Sequence, residues 1–164
     1  MFEKFEFLKE NIPGFENADI AFSAPQIGVR ESRMIDGVHV LTEEELKACT
    51  KFDDAIAAAN YDIDIHNPEG AGTSHYYFKD GEYYTIPYRS LLPIGADNLI
   101  VAGRCISSTH EAQASYRVMP IVTTLGQAAG VAASVAAKQG VRAKDADIRE
   151  IQRILKESGA FIGI

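Results

Sequence analysis

Three short tracts hold the residue types with the most chemical capacity: Asn98-Leu99-Ile100-Val101-Ala102-Gly103-Arg104, Arg117-Val118-Met119-Pro120 and Leu125-Gly126-Gln127-Ala128-Ala129-Gly130. A short apolar run ends in Gly-Arg, a polar loop follows, and then comes a long segment built from Ala and Gly. That order predicts a buried strand, a ligand-facing loop and a helix start in succession. The first N–H groups of a helix have no intrahelical partner and carry about half an elementary positive charge, so such a place favours anionic or dinucleotide ligands. Gly103 permits close backbone approach, and Arg104 can bind phosphate, carboxylate or a ring carbonyl. The same pair also reads as a plain turn with a solvated Arg. Gly126 and Gly130 with their Ala neighbours are first of all packing residues, and ligand contact is added only at the first turn.

Other polar groups offer weaker chemistry. Ser107-Ser108-Thr109-His110-Glu111 is rich in donors and acceptors. A Ser-His-Glu triad needs groups brought together from afar, and no GxSxG elbow is present, so a small hydrolase using His110 with Ser107 or Ser108 is the weakest reading. His110-Glu111 opens like a zinc-binding HExxH, but Ala114 stands where the second His belongs, so no metal site is expected. Arg30-Glu31-Ser32-Arg33 reads as surface charge pairing, or as an Arg orienting an acidic substrate. His66, before Asn67-Pro68, is either structural or a proton donor. Gly70-Ala71-Gly72-Thr73-Ser74-His75 begins like a dinucleotide fingerprint but has His75 at the third glycine, and no other GxGxxG occurs.

The elements that must position these groups follow from patterning. Residues 2–10 predict a short helix with Phe2, Phe5 and Leu8 on one face, stopped by Pro13-Gly14. A hairpin is expected over 27–41, turning at Asp36-Gly37. Thr42-Glu43-Glu44-Glu45 is a capping box that opens a helix with Cys49, Phe52, Ile56 and Ala59 on its inner face. Residues 61–66 alternate as a half-buried strand, and a second hairpin is expected over 75–86 around Asp80-Gly81. Residues 98–102 read as a buried strand. Helices follow over 119–139, with Pro120 in the first turn and Gly140 past the end, and over 146–158, stopped by Gly159. The division is therefore 1–88, hairpins plus one helix, and 89–164, strand, loop and two helices. One strand with two helices does not complete an α/β layer, so 89–164 looks like the end of a larger sheet, α+β as it stands.

Composition narrows the class. The chain has 164 residues, 46% hydrophobic and 24% charged, with a net charge of -7. Lys and Arg form no long cluster, which argues against nucleic acid as a partner. Cys49 and Cys105 lack metal or redox spacing and read as buried free thiols of a reducing, cytoplasmic compartment. The N-terminus has no signal-peptide pattern, and 118–137 reads as a buried soluble helix, with no membrane partner expected.

Taken together, Ile86-Pro87-Tyr88-Arg89 through the Ala-Gly-Arg, Arg-Val-Met-Pro and Gly-Gln-Ala-Ala-Gly tracts closely resemble the C-terminal end of bacterial FAD-dependent oxidoreductases. These belong to the two-domain flavoprotein class shared with fumarate reductase and glutathione reductase. Upstream, Pro13-Gly14-Phe15-Glu16, Gly28-Val29-Arg30-Glu31-Ser32-Arg33, Leu41-Thr42 and Asp64-Ile65-His66-Asn67-Pro68 look like segments of the same family. The resemblance implies that 1–88 is part of a substrate or cap region and that 89–164 returns into a Rossmann-like FAD domain. It implies Gly103 and Arg104 near the ribityl or phosphate, and Ser115, Arg117, Val118 and Met119 near the isoalloxazine ring. The catalytic group stays open among His66, His110 and Arg117. Family members begin with a GxGxxG unit that this chain lacks, so the chain alone is expected to hold FAD weakly or not at all. It would act on an organic small molecule and associate with itself through an uncovered apolar face. The reading from another class is a binding or interaction module with a vestigial flavin site.

Overall fold

The computed structural model of the protein describes residues 1–66 and 73–164. The Gly70–His75 tract therefore falls partly outside the described residues. Helix α1, Phe2–Asn11, forms where its apolar spacing predicts, but it buries no residue, and Phe2 and Phe7 stay exposed.

Among the described residues, four strands make two small antiparallel pairs. β1, Ala55–Ala59, pairs with β4, Tyr84–Pro87, and β2, Ile63–His66, pairs with β3, Thr73–Tyr76. β2 lies where residues 61–66 predict it. Neither expected hairpin exists. The turn at Gly81 is real, with Glu82 N–H bonded to Lys79 O, but the strands on its two sides pair into different sheets. The 27–41 segment does not fold on itself. It threads between two other stretches, with Val38 N–H donating to Leu92 O, Ile35 N–H to Cys105 O and Leu41 N–H to Ser107 O.

The capping box at Thr42 is complete, both side chain to backbone and Glu45 back to the Thr42 N–H. Helix α2, Glu43–Lys47, is one turn and no more. Cys49 takes a positive φ of 52° and turns the chain out, so Phe52, Ile56 and Ala59 belong to a loop and to β1. Ala-rich β1 lacks the β-branched residues that announce a strand. Its small side chains instead let helices approach closely, and α4, Met119–Gln139, and α5, Ile148–Glu157, both pack on it. The Gln152 amide ties α5 to the start of β1 by donating to Asp53 O at 2.8 Å and Ala55 O at 3.0 Å.

Residues 98–102 form no strand. Val101 N–H reaches Leu91 O, yet no strand lies alongside among the described residues, and Leu99 is 49% exposed. The expected polar loop contains helix α3, His110–Tyr116, which starts on Thr109, whose hydroxyl accepts from Ala112 N–H. Both C-terminal helices form as predicted, with Gly140 left-handed at the end of α4. Only one face of α4 is buried, through Ile121, Leu125, Ala128, Ala132, Val135 and Ala136. The opposite face, with Gly126, Gly130 and Ala133, is exposed, so 118–137 is half-covered rather than buried. The core joins Leu41, Leu46, Ile56, Tyr84, Ile86, Leu91 and Ile106 to the inner faces of α3, α4 and α5. The architecture is α+β. Both cysteines are free and half-buried, not fully buried.

Candidate flavin-binding site

Arg117 closes α3 and Val118 precedes α4, so the two helices meet at this dipeptide. Val118 is extended, α4 has no side-chain cap, and Pro120 stands in its first turn. The first helical bond runs from Val122 N–H to Val118 O, which leaves the Met119 and Ile121 N–H groups without helical partners. Met119 is 81% exposed. The start of α4 is thus open to solvent and is not packed against hydrocarbon.

A cavity of about 750 Å³ opens at this point, lined by Arg30, Tyr61, Asp64, Arg104, Arg117, Val118, Met119 and Pro120. Small-molecule sites commonly span about 300–1,000 Å³. The Arg117 guanidinium donates to Asp64 O at 3.3 Å, which anchors it across to β2. Arg104 donates to Val29 O. Tyr116, fully buried, holds the loop beneath Arg104, with its hydroxyl at 3.3 Å from both Arg104 O and Ile106 O and 2.9 Å from Ser108 Oγ. Burial pushes the Tyr116 phenol well above its ordinary pKa, so it stays a neutral donor.

The structure brings Arg104, Arg117, Val118 and Met119 to one cavity wall, together with Arg30, Tyr61 and Asp64 from far upstream. Ser115 is not among them. It is fully buried, and its hydroxyl is shared between Tyr84 Oη at 2.7 Å and Tyr61 O. Its role is to brace α3 against β4. Gly103 lines a second, adjoining cavity and has a φ of 99°, which only glycine adopts cheaply, while no protein atom crowds its missing Cβ. Its backbone shape, not a close protein neighbour, calls for glycine.

The polar 107–111 tract forms no Ser-His pair. Ser107 Oγ accepts from Gly37 N–H, Ser108 Oγ meets Tyr116, and His110 Nδ1 faces Glu31 Oε2. His110 lines neither cavity and touches only Glu31, which lines the second. His66 ends β2, and its side chain lies outside the described residues. Tyr61 and Asp64 carried no local signal for this place. Asp64 is brought there by its backbone bond to Arg117, and Tyr61 by its carbonyl bond to Ser115.

A family model described as FAD dependent oxidoreductase matches residues 1–155. The chain belongs to this family. No curated protein and no solved structure matches the chain. Members of the FAD-dependent oxidoreductase family bind FAD, and the residues at the first cavity fit part of that group. The open N–H groups of α4 and the Arg117 guanidinium are donors suited to ring carbonyls or to a ring that gains negative charge. Val118, Met119 and Pro120 give the apolar surface that a planar aromatic system needs.

Proposed function

We propose that this chain supplies the flavin-proximal part of an FAD-dependent oxidoreductase. The observation that carries this reading is the open start of α4 facing a cavity with Arg117 and Arg104 on its wall. FAD, when bound, would supply two-electron transfer to or from an organic substrate. Arg117 and the Met119 and Ile121 N–H groups would orient the ring and stabilise negative charge on it. Arg104, steadied by Tyr116, would reach the ribityl or phosphate. The adenosine and most pyrophosphate contacts would come from residues other than these, in a Rossmann-like unit that 89–164 completes. Residues 1–88 would be the substrate-side part.

Equilibrium dialysis of residues 1–164 tests this. FAD and riboflavin should bind alike and weakly, with Kd above about 1 μM, and Arg117→Gln should weaken both. FAD binding much tighter than riboflavin binding would show that the chain grips the adenosine half itself. The open cavity at the start of α4 narrows the expectation from weak or no binding to weak binding, so no binding of either at millimolar protein would remove the flavin reading and leave the interaction-module alternative.

α4 is long and apolar enough to cross a membrane by length and composition alone. Its packing on β1 and α5 supports a core helix instead, and the cytoplasmic assignment rests on the two free cysteines. Its free face, with Gly126, Gly130, Ala133 and the neighbouring Leu99, supports self-association.

A further inference from the structure

We propose that the second cavity, bounded by Val29–Arg33 and Gly103–Cys105, binds the oxyanionic group, carboxylate or phosphate, of a small organic substrate through Arg30 and Arg33. The inference rests on the flavin-proximal reading, because it takes the adjoining cavity as the place of the ring.

The chain carries 23 acidic residues against 16 basic ones, so carboxylates outnumber the cations they can pair with. Arg89 pairs with Asp54, Arg142 with Asp97 and Asp145, and Arg153 with Glu150 and Glu157. Arg30, Arg33, Arg104, Arg117 and Arg149 have no carboxylate partner among the described residues, and all of these but Arg149 line the two adjoining cavities. Arg104 and Arg117 at least donate to backbone carbonyls. The Arg30 and Arg33 guanidiniums have no hydrogen-bond acceptor among the described residues. Guanidinium is always charged, and its planar fork matches a carboxylate or a phosphate. Both side chains are exposed to solvent, so a bound anion replaces water on their forks and displaces no protein carboxylate.

The wall that presents them is built, not loose. Gln113, 1% exposed, donates through its amide to Arg30 O at 3.0 Å. Arg104 donates to Val29 O, and Ile35 N–H to Cys105 O at 3.0 Å. Glu31, on the wall of the second cavity, faces His110, and Asp64, on the wall of the first, lies 3.5 Å from His75. The cavity measures about 610 Å³ and shares Arg30 and Arg104 with the first cavity. A substrate whose acid group sits on Arg30 and Arg33 therefore abuts the space assigned to the ring.

NMR titration of the full chain with glutarate, its neutral diamide, phenyl phosphate, riboflavin and FMN tests this. Glutarate or phenyl phosphate should shift the amides of residues 29–33 and 103–105 with Kd near about 1 mM, and the diamide should not. Arg33→Gln should weaken that binding about tenfold, while Arg149→Gln, away from both cavities, should leave it unchanged. Riboflavin should shift the Val118–Ile121 amides in the native chain and in Arg33→Gln alike. The proposal is overturned by equal binding of the diamide, by no anion-dependent shift at these amides, or by an unaffected Arg33→Gln. It is also overturned if Arg33→Gln weakens FMN but not riboflavin, because the arginine would then serve the cofactor's own phosphate. Anion binding at these amides without riboflavin binding sustains the anion site and removes only the flavin reading.

Discussion

The Gly37 N–H donates to Ser107 Oγ at 3.1 Å, and a Cβ built at position 37 would lie 2.5 Å from Ser107 Cβ. The two backbones touch here, where the 35–41 segment passes between 89–94 and 105–109. Gly37→Ala should therefore destabilise the protein by about 1–3 kcal/mol through overpacking. Ser107→Gly removes the clash but also the buried bond, at about 1 kcal/mol. The double variant should be less destabilised than the two single effects added. Urea denaturation of the four proteins checks this, and full additivity would mean that the contact is not the reason for the glycine.

This contact explains much of what the sequence hid. Asp36-Gly37 has the composition of a hairpin turn, but its glycine serves a close crossing, which no local pattern reveals. Where local signals agree with burial, the sequence is legible: Pro120 and Gly140 frame α4, Thr42 and Glu45 cap α2, and Gly159 stops α5. By local pattern β1 reads as helix, because the capping box precedes it and Ala carries no strand signal. Its strand state comes from pairing with β4 and from the helices above it. The site shows the same split. Arg104, Arg117 and Met119 are legible as a tract, whereas the approach of Arg30, Tyr61 and Asp64 is a product of tertiary folding.

Three buried phenols predict a particular alkaline transition. Burial raises the pKa of Tyr84, Tyr88 and Tyr116, with Tyr88 pushed up to about 12. Tyr88 Oη also donates to Ala143 O at 2.8 Å, tying the 3-10 turn after β4 to the segment before α5. A raised phenol favours the protonated, folded state. That stability is fully present below the ordinary tyrosine pKa of about 10 and is lost as pH rises through the folded values. Three of the seven tyrosines should ionise only with unfolding above pH 10, read as a cooperative phenolate absorbance step coincident with loss of helical circular dichroism. A smooth titration of all seven with the fold intact would contradict the burial argument.

The free face of α4 predicts association. Gly126, Gly130, Ala133 and Ala137 are exposed, and Leu99, Ala133 and Ala137 line a groove of about 530 Å³. Sedimentation should show dimers that dissociate on dilution, and Ala133→Glu should shift them to monomer without changing the circular dichroism. A clean monomer at high concentration would remove the self-association reading.

Gln113 separates positioning from stability. Its amide holds Arg30 O, while its own Oε1 is buried without a hydrogen-bond partner. Gln113→Leu loses one bond and leaves the Arg30 carbonyl without its donor, yet it also removes an unsatisfied buried acceptor. These effects oppose each other, so the net change in stability should stay within about 1 kcal/mol. The anion site should respond more strongly, because the backbone that carries Arg30 loses its buried anchor. Glutarate affinity should fall severalfold while the urea midpoint barely moves. Gln113→Glu, which keeps an acceptor but loses the amide donor, should lower both, since a buried carboxylate there has no cation bonded to it. Equal affinity in the native and Gln113→Leu proteins would mean that the Val29–Arg33 wall is held by Arg104 and Cys105 alone.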